Sequence, residues 1–206
     1  MEHRRDRQWM AWGGMLAAAV LFAAAAAKFA YFPGDVAITR FAQSLFGDHI
    51  GWAQTVTNTV RAPWNLALAA ITAALAWWIA GKNRGWRAAL LAVVSFVGVW
   101  LAEPYLKALI ARPRPSPSLV NVAGSPTGYG FPSGFALIYF STIGYLGVLA
   151  LHRLSGNARW RVALVCGLIL LIGGAARVVP GAHWPSDVIG AYLICLAWTT
   201  LLARFA

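Results

Sequence analysis

Arg177, His183 and Asp187 lie within eleven residues, RVVPGAHWPSD (177–187), between two apolar runs each long enough to be a membrane span. An imidazole becomes a nucleophile or base near neutral pH once a partner holds its other ring nitrogen. Pro185 suits the first turn of a helix, where its missing N–H forfeits nothing, so a helix is expected from about Trp184 with His183 just before it. Asp187 then falls in that first turn, close enough to accept a ring N–H from His183 and fix its tautomer. Arg177 adds a planar cationic fork suited to phosphate or carboxylate oxygens. The set reads as nucleophile, orienter and anion clamp. The plain alternative is that His183 and Asp187 cap a helix while Arg177 anchors at an interface.

The elements that must hold these residues are set by composition. Of 206 residues, 60% are hydrophobic and 11% charged, and the mean hydropathy is +0.63, so a water-soluble surface cannot be built from this chain. It reads as an all-α, polytopic membrane protein forming one domain over residues 1–206. The net charge of +11 would suit nucleic acid, but the basic residues fall between apolar runs rather than along one face, so membrane topology explains them and no nucleic-acid partner is expected. Cys166 and Cys195 sit inside apolar runs, as buried thiols do, and no Cys or His spacing suggests a metal site or another cofactor. The first apolar run lacks a convincing small-residue cleavage site and is read as a retained span.

Six spans are expected, at about 9–29, 63–80, 86–110, 132–151, 162–179 and 184–202. Between the first two, residues 30–62 mix Asp35, Arg40, Asp48 and His49 with Phe41, Leu45, Phe46 and Trp52, a spacing that suits one or two interfacial helices. Residues 111–130, rich in Pro, Ser and Gly, oppose regular structure, and the loop from Ser116 to Gly130 could serve as a lid. Residues 152–161 read as a basic connector. Arg4, Arg5, Arg7, Lys82, Arg84, Arg87, Arg153, Arg159, Arg161 and Arg204 collect on one side, against the fewer Lys28, Arg40, Arg61, Lys107, Arg112, Arg114 and Arg177 on the other. The positive-inside rule then places both termini in the cytoplasm and residues 177–187 outside the cytoplasmic membrane.

Three polar groups converge on that outer side: Lys107 with Arg112 and Arg114; Pro132-Ser133-Gly134; and Arg177, His183 and Asp187. Ser133 and Gly134, at the mouth of the fourth span, offer a hydroxyl and free backbone N–H groups at a helix start, which suits an anion. Taken singly, Lys107 and Arg112 could snorkel and Ser133 could be an N-cap. Together they describe a phosphate pocket.

Here the chain resembles the type-2 phosphatidic acid phosphatase superfamily, membrane lipid phosphatases related to vanadium haloperoxidases. Its first motif, Lys, six residues, Arg-Pro, is matched by Lys107 and Arg114-Pro115. Its third, Ser-Arg, five residues, His, three residues, Asp, is matched by Arg177, His183 and Asp187, with Ala176 at the serine position. Its second, Pro-Ser-Gly-His, is matched by Pro132-Ser133-Gly134 only, because Phe135 follows. The resemblance implies a lipid phosphate or diphosphate substrate and no cofactor. It also implies that His183 attacks phosphorus to form a phosphohistidine oriented by Asp187, while Lys107, Arg114, Ser133, the Gly134 N–H and Arg177 hold the phosphoryl oxygens.

In the family the second-motif histidine protonates the leaving group, and Phe135 cannot. General acid catalysis contributes about a hundredfold to ten-thousandfold, so the departure matters. Phe135 could be an introduced change, or Glu103 or His49 could supply the proton, although an i,i+4 ion pair with Lys107 is the plainer role for Glu103. Otherwise the leaving group needs no proton. An alkoxide demands one and a lipid monophosphate does not, which favours a polyprenyl diphosphate substrate, such as the undecaprenyl lipid of cell envelopes. Competing classes are a non-catalytic phospholipid-binding protein and a phosphotransferase using a lipid or sugar acceptor. The sequence is silent on self-association.

Overall fold

The computed structural model describes residues 2–206, with the side chains at 2–5, 7 and 48 left aside, so the tail arginines Arg4, Arg5 and Arg7 and the Asp48 side chain lie outside the described set. Among the described residues every regular element is helical. They are α1 (Glu2–Lys28), α2 (Asp35–Phe46), α3 (Gly51–Asn58), α4 (Trp64–Ala80), α5 (Gly85–Ile110), α6 (Gly134–Tyr139), α7 (Tyr145–Arg153), α8 (Gly156–Val178) and α9 (Pro185–Ala203). A single 3-10 turn, Gly47–His49, joins α2 to α3, and a π-helical segment, Phe140–Gly144, fuses α6 and α7 into one rod.

Five of these stretches are long and apolar enough to cross a bilayer, namely Gln8–Lys28, Gly85–Ile110, Gly134–Arg153, Gly156–Val178 and Pro185–Ala203. The 17-residue α4 is a shorter apolar helix. At 1.5 Å per residue it reaches about 25 Å, close to the hydrocarbon thickness. This is a multi-pass membrane protein, and the interfacial pair expected in residues 30–62 is present as α2 and α3. The bundle is centred on the α6–α7 rod and α9, whose apolar windows are 67% and 56% buried, whereas α1 at 11% lies against the outside. Large side chains such as Leu75, Leu101, Leu164 and Leu171 point outward, as helices solvated by lipid require.

Two details differ from the sequence expectation. Helix α8 begins at Gly156 rather than near residue 162, because the residues read as a basic connector supply its first turns. The π segment has a side-chain cause. Ser141 and Thr142 hydroxyls donate back to the Ile138 carbonyl at 3.0 and 2.7 Å, and the Ser141 carbonyl is taken by the Ser95 hydroxyl of α5 at 2.7 Å.

The connectors at one end of the bundle are tied to each other. Arg40 donates to the Leu119 carbonyl at 2.8 Å and Gln43 to the Val179 carbonyl at 3.0 Å, so α2, the 111–133 loop and the α8–α9 turn form one cap over the helix ends. Where α9 passes that cap its backbone must come close to aromatic rings. A Cβ at Gly190 would overlap the buried Phe131 ring and stand 3.1 Å from Phe22. Gly190→Val is therefore expected to cost about 1–3 kcal/mol through overpacking. The check is a lowered thermal midpoint in detergent, set against Gly167→Ala, which meets nothing within 4 Å and leaves the midpoint undiminished.

Candidate active site

The site is assembled where α9 begins. Pro185 occupies the first turn, and Asp187 accepts the Trp184 backbone N–H through Oδ2 at 2.9 Å, the carboxylate half of a capping box. The turn leading in is set by Gly181, which holds a φ of +67° and lies so close to the Asn121 carbonyl that a side chain would collide with it. His183 follows, 2% exposed.

Its two ring nitrogens have partners that can act in one direction only. Nδ1 lies 2.8 Å from the Gly130 carbonyl, which accepts, and Nε2 lies 3.1 Å from Nη1 of Arg114, which donates. The imidazole must then be neutral, with its proton on Nδ1 and its lone pair on Nε2. Burial pushes its pKa down to about 4, with the Arg177 and Arg114 charges adding to the effect and Asp187 opposing it. Asp187 was expected to accept the ring N–H, but its Oδ2 is 3.6 Å from Nδ1, beyond a hydrogen bond. The reason is prior commitment: Oδ2 holds the Trp184 N–H and Oδ1 is paired with Arg112 at 2.6 Å.

Arg112 belongs to a second layer rather than to the phosphate pocket. It is 1% exposed, and its fork reaches Asp187, the Ser186 hydroxyl at 2.8 Å, Asp35 at 3.2 Å and, through Nε, the Phe29 carbonyl at 3.0 Å. Asp35 in turn accepts the Ser186 N–H at 3.0 Å, the Ser186 hydroxyl at 2.5 Å and the Phe32 N–H at 2.7 Å. The α1–α2 corner, the end of α5 and the start of α9 are thus pinned together behind His183. Sequence reasoning gave Asp35 no site role. The available signal was that acidic residues number six in the whole chain and this one follows a Pro-Gly turn.

In front of His183 lies a cleft of about 280 Å³, lined by Glu103, Lys107, Arg114, Gly134, Phe135, Arg177 and His183, with Asn65, Val99 and Trp100 among the others. Arg114 is positioned by the carbonyls of Ala182 at 2.8 Å, Thr127 at 2.9 Å and Gly128 at 3.1 Å, and its burial lowers its pKa. It is still a cation at neutral pH. Arg177 donates to the Thr57 hydroxyl at 3.1 Å and sits over the Phe135 ring at 5.8 Å, while its Nε has no partner among the described residues. Lys107 pairs with Glu103 at 2.7 Å. Of the residues singled out in the sequence, Lys107, Arg114, Gly134, Arg177, His183 and Phe135 thus share one cleft. Ser133 does not line it: fully buried, its hydroxyl caps α6 by accepting the Ala136 N–H at 3.4 Å. Asp187 stands behind the histidine, and Ala176 is buried in α8.

With this geometry in view, residues 85–206, more than half of the chain, match the family described as the PAP2 superfamily. The chain belongs to the PAP2 superfamily. The matched region contains Lys107, Arg114, Gly134, Arg177 and His183 and excludes Asp35. An undecaprenyl-diphosphatase of Sulfolobus acidocaldarius is 30% identical over 115 residues, which make up 54% of this chain and 51% of that protein. The chain thus spans about half the length of this curated relative. The crystal structure of the first transmembrane PAP2 type phosphatidylglycerolphosphate phosphatase from Bacillus subtilis superposes with a TM-score of 0.72 at 21% identity, over 94% of each chain. That likeness is one of fold.

Two outcomes follow from the buried charges. Arg112→Met leaves Asp35 and Asp187 buried without their cation and is expected to destabilise by about 3–5 kcal/mol, a loss that adding Asp35→Asn reduces in part. Thermal unfolding of the single and double variants in detergent measures it. For His183 the folded ring binds its proton more weakly than the unfolded one, whose pKa is about 6.5. Its contribution to stability is therefore present above that pH and is lost as pH falls from about 6.5 toward 4. Nitrogen-15 histidine NMR should find the 183 ring neutral at pH 5.5, and a titration midpoint near 6.5 would contradict the burial argument.

Proposed function

We propose that the protein is a membrane lipid phosphatase that removes the terminal phosphoryl group of a lipid phosphate or diphosphate through a phosphohistidine on His183. The observation that carries this reading is a neutral imidazole whose unprotonated Nε2 faces a cleft bearing Lys107, Arg114 and Arg177. In the first step the Nε2 lone pair attacks phosphorus and the bond from phosphorus to the bridging oxygen breaks. Arg114, which donates to Nε2, turns to a phosphoryl oxygen as the new bond forms. The imidazolium created by phosphorylation is stabilised by the Gly130 carbonyl and by the buried Asp187 carboxylate 3.6 Å from Nδ1. Lys107, Arg177 and the Gly134 N–H hold the remaining oxygens, and the Ser133 hydroxyl acts by capping the helix start that presents Gly134. No step calls for a metal ion.

The substrate favoured is a polyprenyl diphosphate. Phe135 offers no proton, and a lipid monophosphate leaves without one where an alkoxide does not. The name carried by the Sulfolobus relative agrees with this choice. An apolar groove of about 330 Å³, lined by Trp12, Leu16, Ala102, Leu106 and Trp198, shares Val99 with the cleft as a lining residue and suits the hydrocarbon chain. The excess of basic residues at the opposite end of the bundle supports cytoplasmic termini and a site on the outer face of the cytoplasmic membrane.

The reading is tested by phosphate release from a matched pair of prenyl mono- and diphosphates. The diphosphate should turn over faster, His183→Ala should abolish both activities, and Phe135→His should raise the monophosphate rate. Faster turnover of the monophosphate by the unaltered protein would reverse the substrate assignment. Transfer of labelled phosphate to a lipid or sugar hydroxyl instead of water would make the protein a phosphotransferase. Activity that survives His183→Ala would remove the nucleophile.

A further inference from the structure

Phosphohistidine formation is half of a turnover, and the second half needs water to be deprotonated as it attacks. We infer that Glu103 is the general base of that step, a role that rests on the phosphohistidine reading above. In an in-line displacement His183 enters on one side of phosphorus and the lipid phosphate departs on the other, so the hydrolytic water must come in along the departure path. That path has to run along a wall of the cleft other than the one that holds His183, and on the α6 wall Phe135 has no proton to give or take.

The Glu103 carboxylate lies on that α6 wall. A Cβ on Gly134 would stand 2.5 Å from Glu103 Oε1, so the carboxylate rests directly on the backbone that precedes Phe135. Among the described residues lining the cleft, Glu103 supplies the one carboxylate. Its contact with Lys107 at 2.7 Å, one turn along the same helix, holds the carboxylate at the cleft wall. The groups that share its cleft are Lys107 on the same helix, Arg114 from the 111–133 loop, Arg177 from α8 and His183 from the α8–α9 turn. Once a phosphoryl group occupies the cleft, Lys107 can turn toward that group and leave a Glu103 oxygen open to the incoming water.

In the step itself, water loses a proton to a Glu103 oxygen as its own oxygen bonds to phosphorus. The bond from phosphorus to Nε2 breaks and its electron pair returns to His183. Orthophosphate leaves, and the proton on Glu103 passes to it or to solvent. The two ionisable groups then have separate tasks, the imidazole as nucleophile and the carboxylate as base.

The experiment is rapid-quench kinetics on the full chain in detergent, with farnesyl diphosphate labelled in its terminal phosphate, comparing the unaltered protein with Glu103→Gln and Glu103→Asp. Glu103→Gln should form the phosphoenzyme at an undiminished rate and then stall. The expected signs are a burst of about one farnesyl monophosphate per protein, an accumulated acid-labile phosphoenzyme, and steady-state release lowered about a hundredfold or more. Glu103→Asp should recover part of the release rate, and hydroxylamine, a nucleophile that needs no deprotonation, should discharge the stalled Gln variant. Unchanged release in Glu103→Gln overturns the proposal. Loss of the burst together with turnover also overturns it, because the carboxylate would then serve only to place Lys107. If steady turnover proceeds with no phosphoenzyme trapped in any variant, the phosphohistidine reading itself falls and takes this step with it.

Discussion

The interaction on which the site depends is the buried pairing of Arg112 with Asp35 and Asp187. A lone charge in a bilayer-embedded bundle is unfavourable by several kcal/mol, so these three persist only as a closed set with every oxygen and nitrogen engaged. Closing the set has a structural consequence. The α1–α2 corner, the end of α5 and the start of α9 are far apart in sequence, and the pairing fixes their separation. His183 is attached to this frame on one side by the turn that Asp187 caps and on the other by the Gly130 carbonyl, whose own N–H donates to the Arg112 carbonyl at 2.8 Å. The same arginine thus anchors both walls of the histidine.

That anchoring explains why the histidine is neutral and why its direction is defined. Removal from water disfavours imidazolium, and two neighbouring guanidinium groups disfavour it further. A carbonyl on Nδ1 and a guanidinium on Nε2 then leave a single tautomer. Asp187, too distant for a hydrogen bond to the ring, still stands close enough for its charge to matter once the ring becomes cationic. Its interaction with the neutral imidazole is weak, and with the imidazolium that the proposed phosphorylation would create it would be strong. An orienter that acts through charge rather than contact spends little on the ground state.

How much of this could be read from residues alone varied with the range of the interaction. The spans were legible because twenty apolar residues in a row have few other uses, and helix α9 began where Pro185 and Asp187 said it would. The cleft was legible from motif spacing, since Lys107, Arg114, Gly134, Arg177 and His183 do line one cavity. What escaped were contacts between distant segments. Arg112 is two residues from Arg114, and in a regular strand both would face one side. The left-handed Ala111 (φ 52°) instead turns the chain out of α5, and Arg112 ends up in the interior while Arg114 faces the cleft. Asp35 lay in a mixed polar stretch whose hydrophobic spacing spoke only of an interfacial helix. The Gly130 carbonyl as the histidine's partner had no side-chain signal at all.

Phe135 can be understood in the same electrostatic terms. Its ring packs on Tyr139 at 4.4 Å between centroids and lies beneath the Arg177 guanidinium at 5.8 Å. A histidine here would face Arg177, Arg114 and Lys107, and a fourth positive charge in so small a space would repel the other three. With phenylalanine the ring face attracts the guanidinium instead, which helps hold Arg177 over the cleft without adding a titrating group. The cations gathered at the cleft are then Lys107, Arg114 and Arg177, with no imidazole added at position 135. What the residue gives up in proton transfer it returns by holding a guanidinium toward the anion, a trade that would suit the diphosphate substrate proposed above.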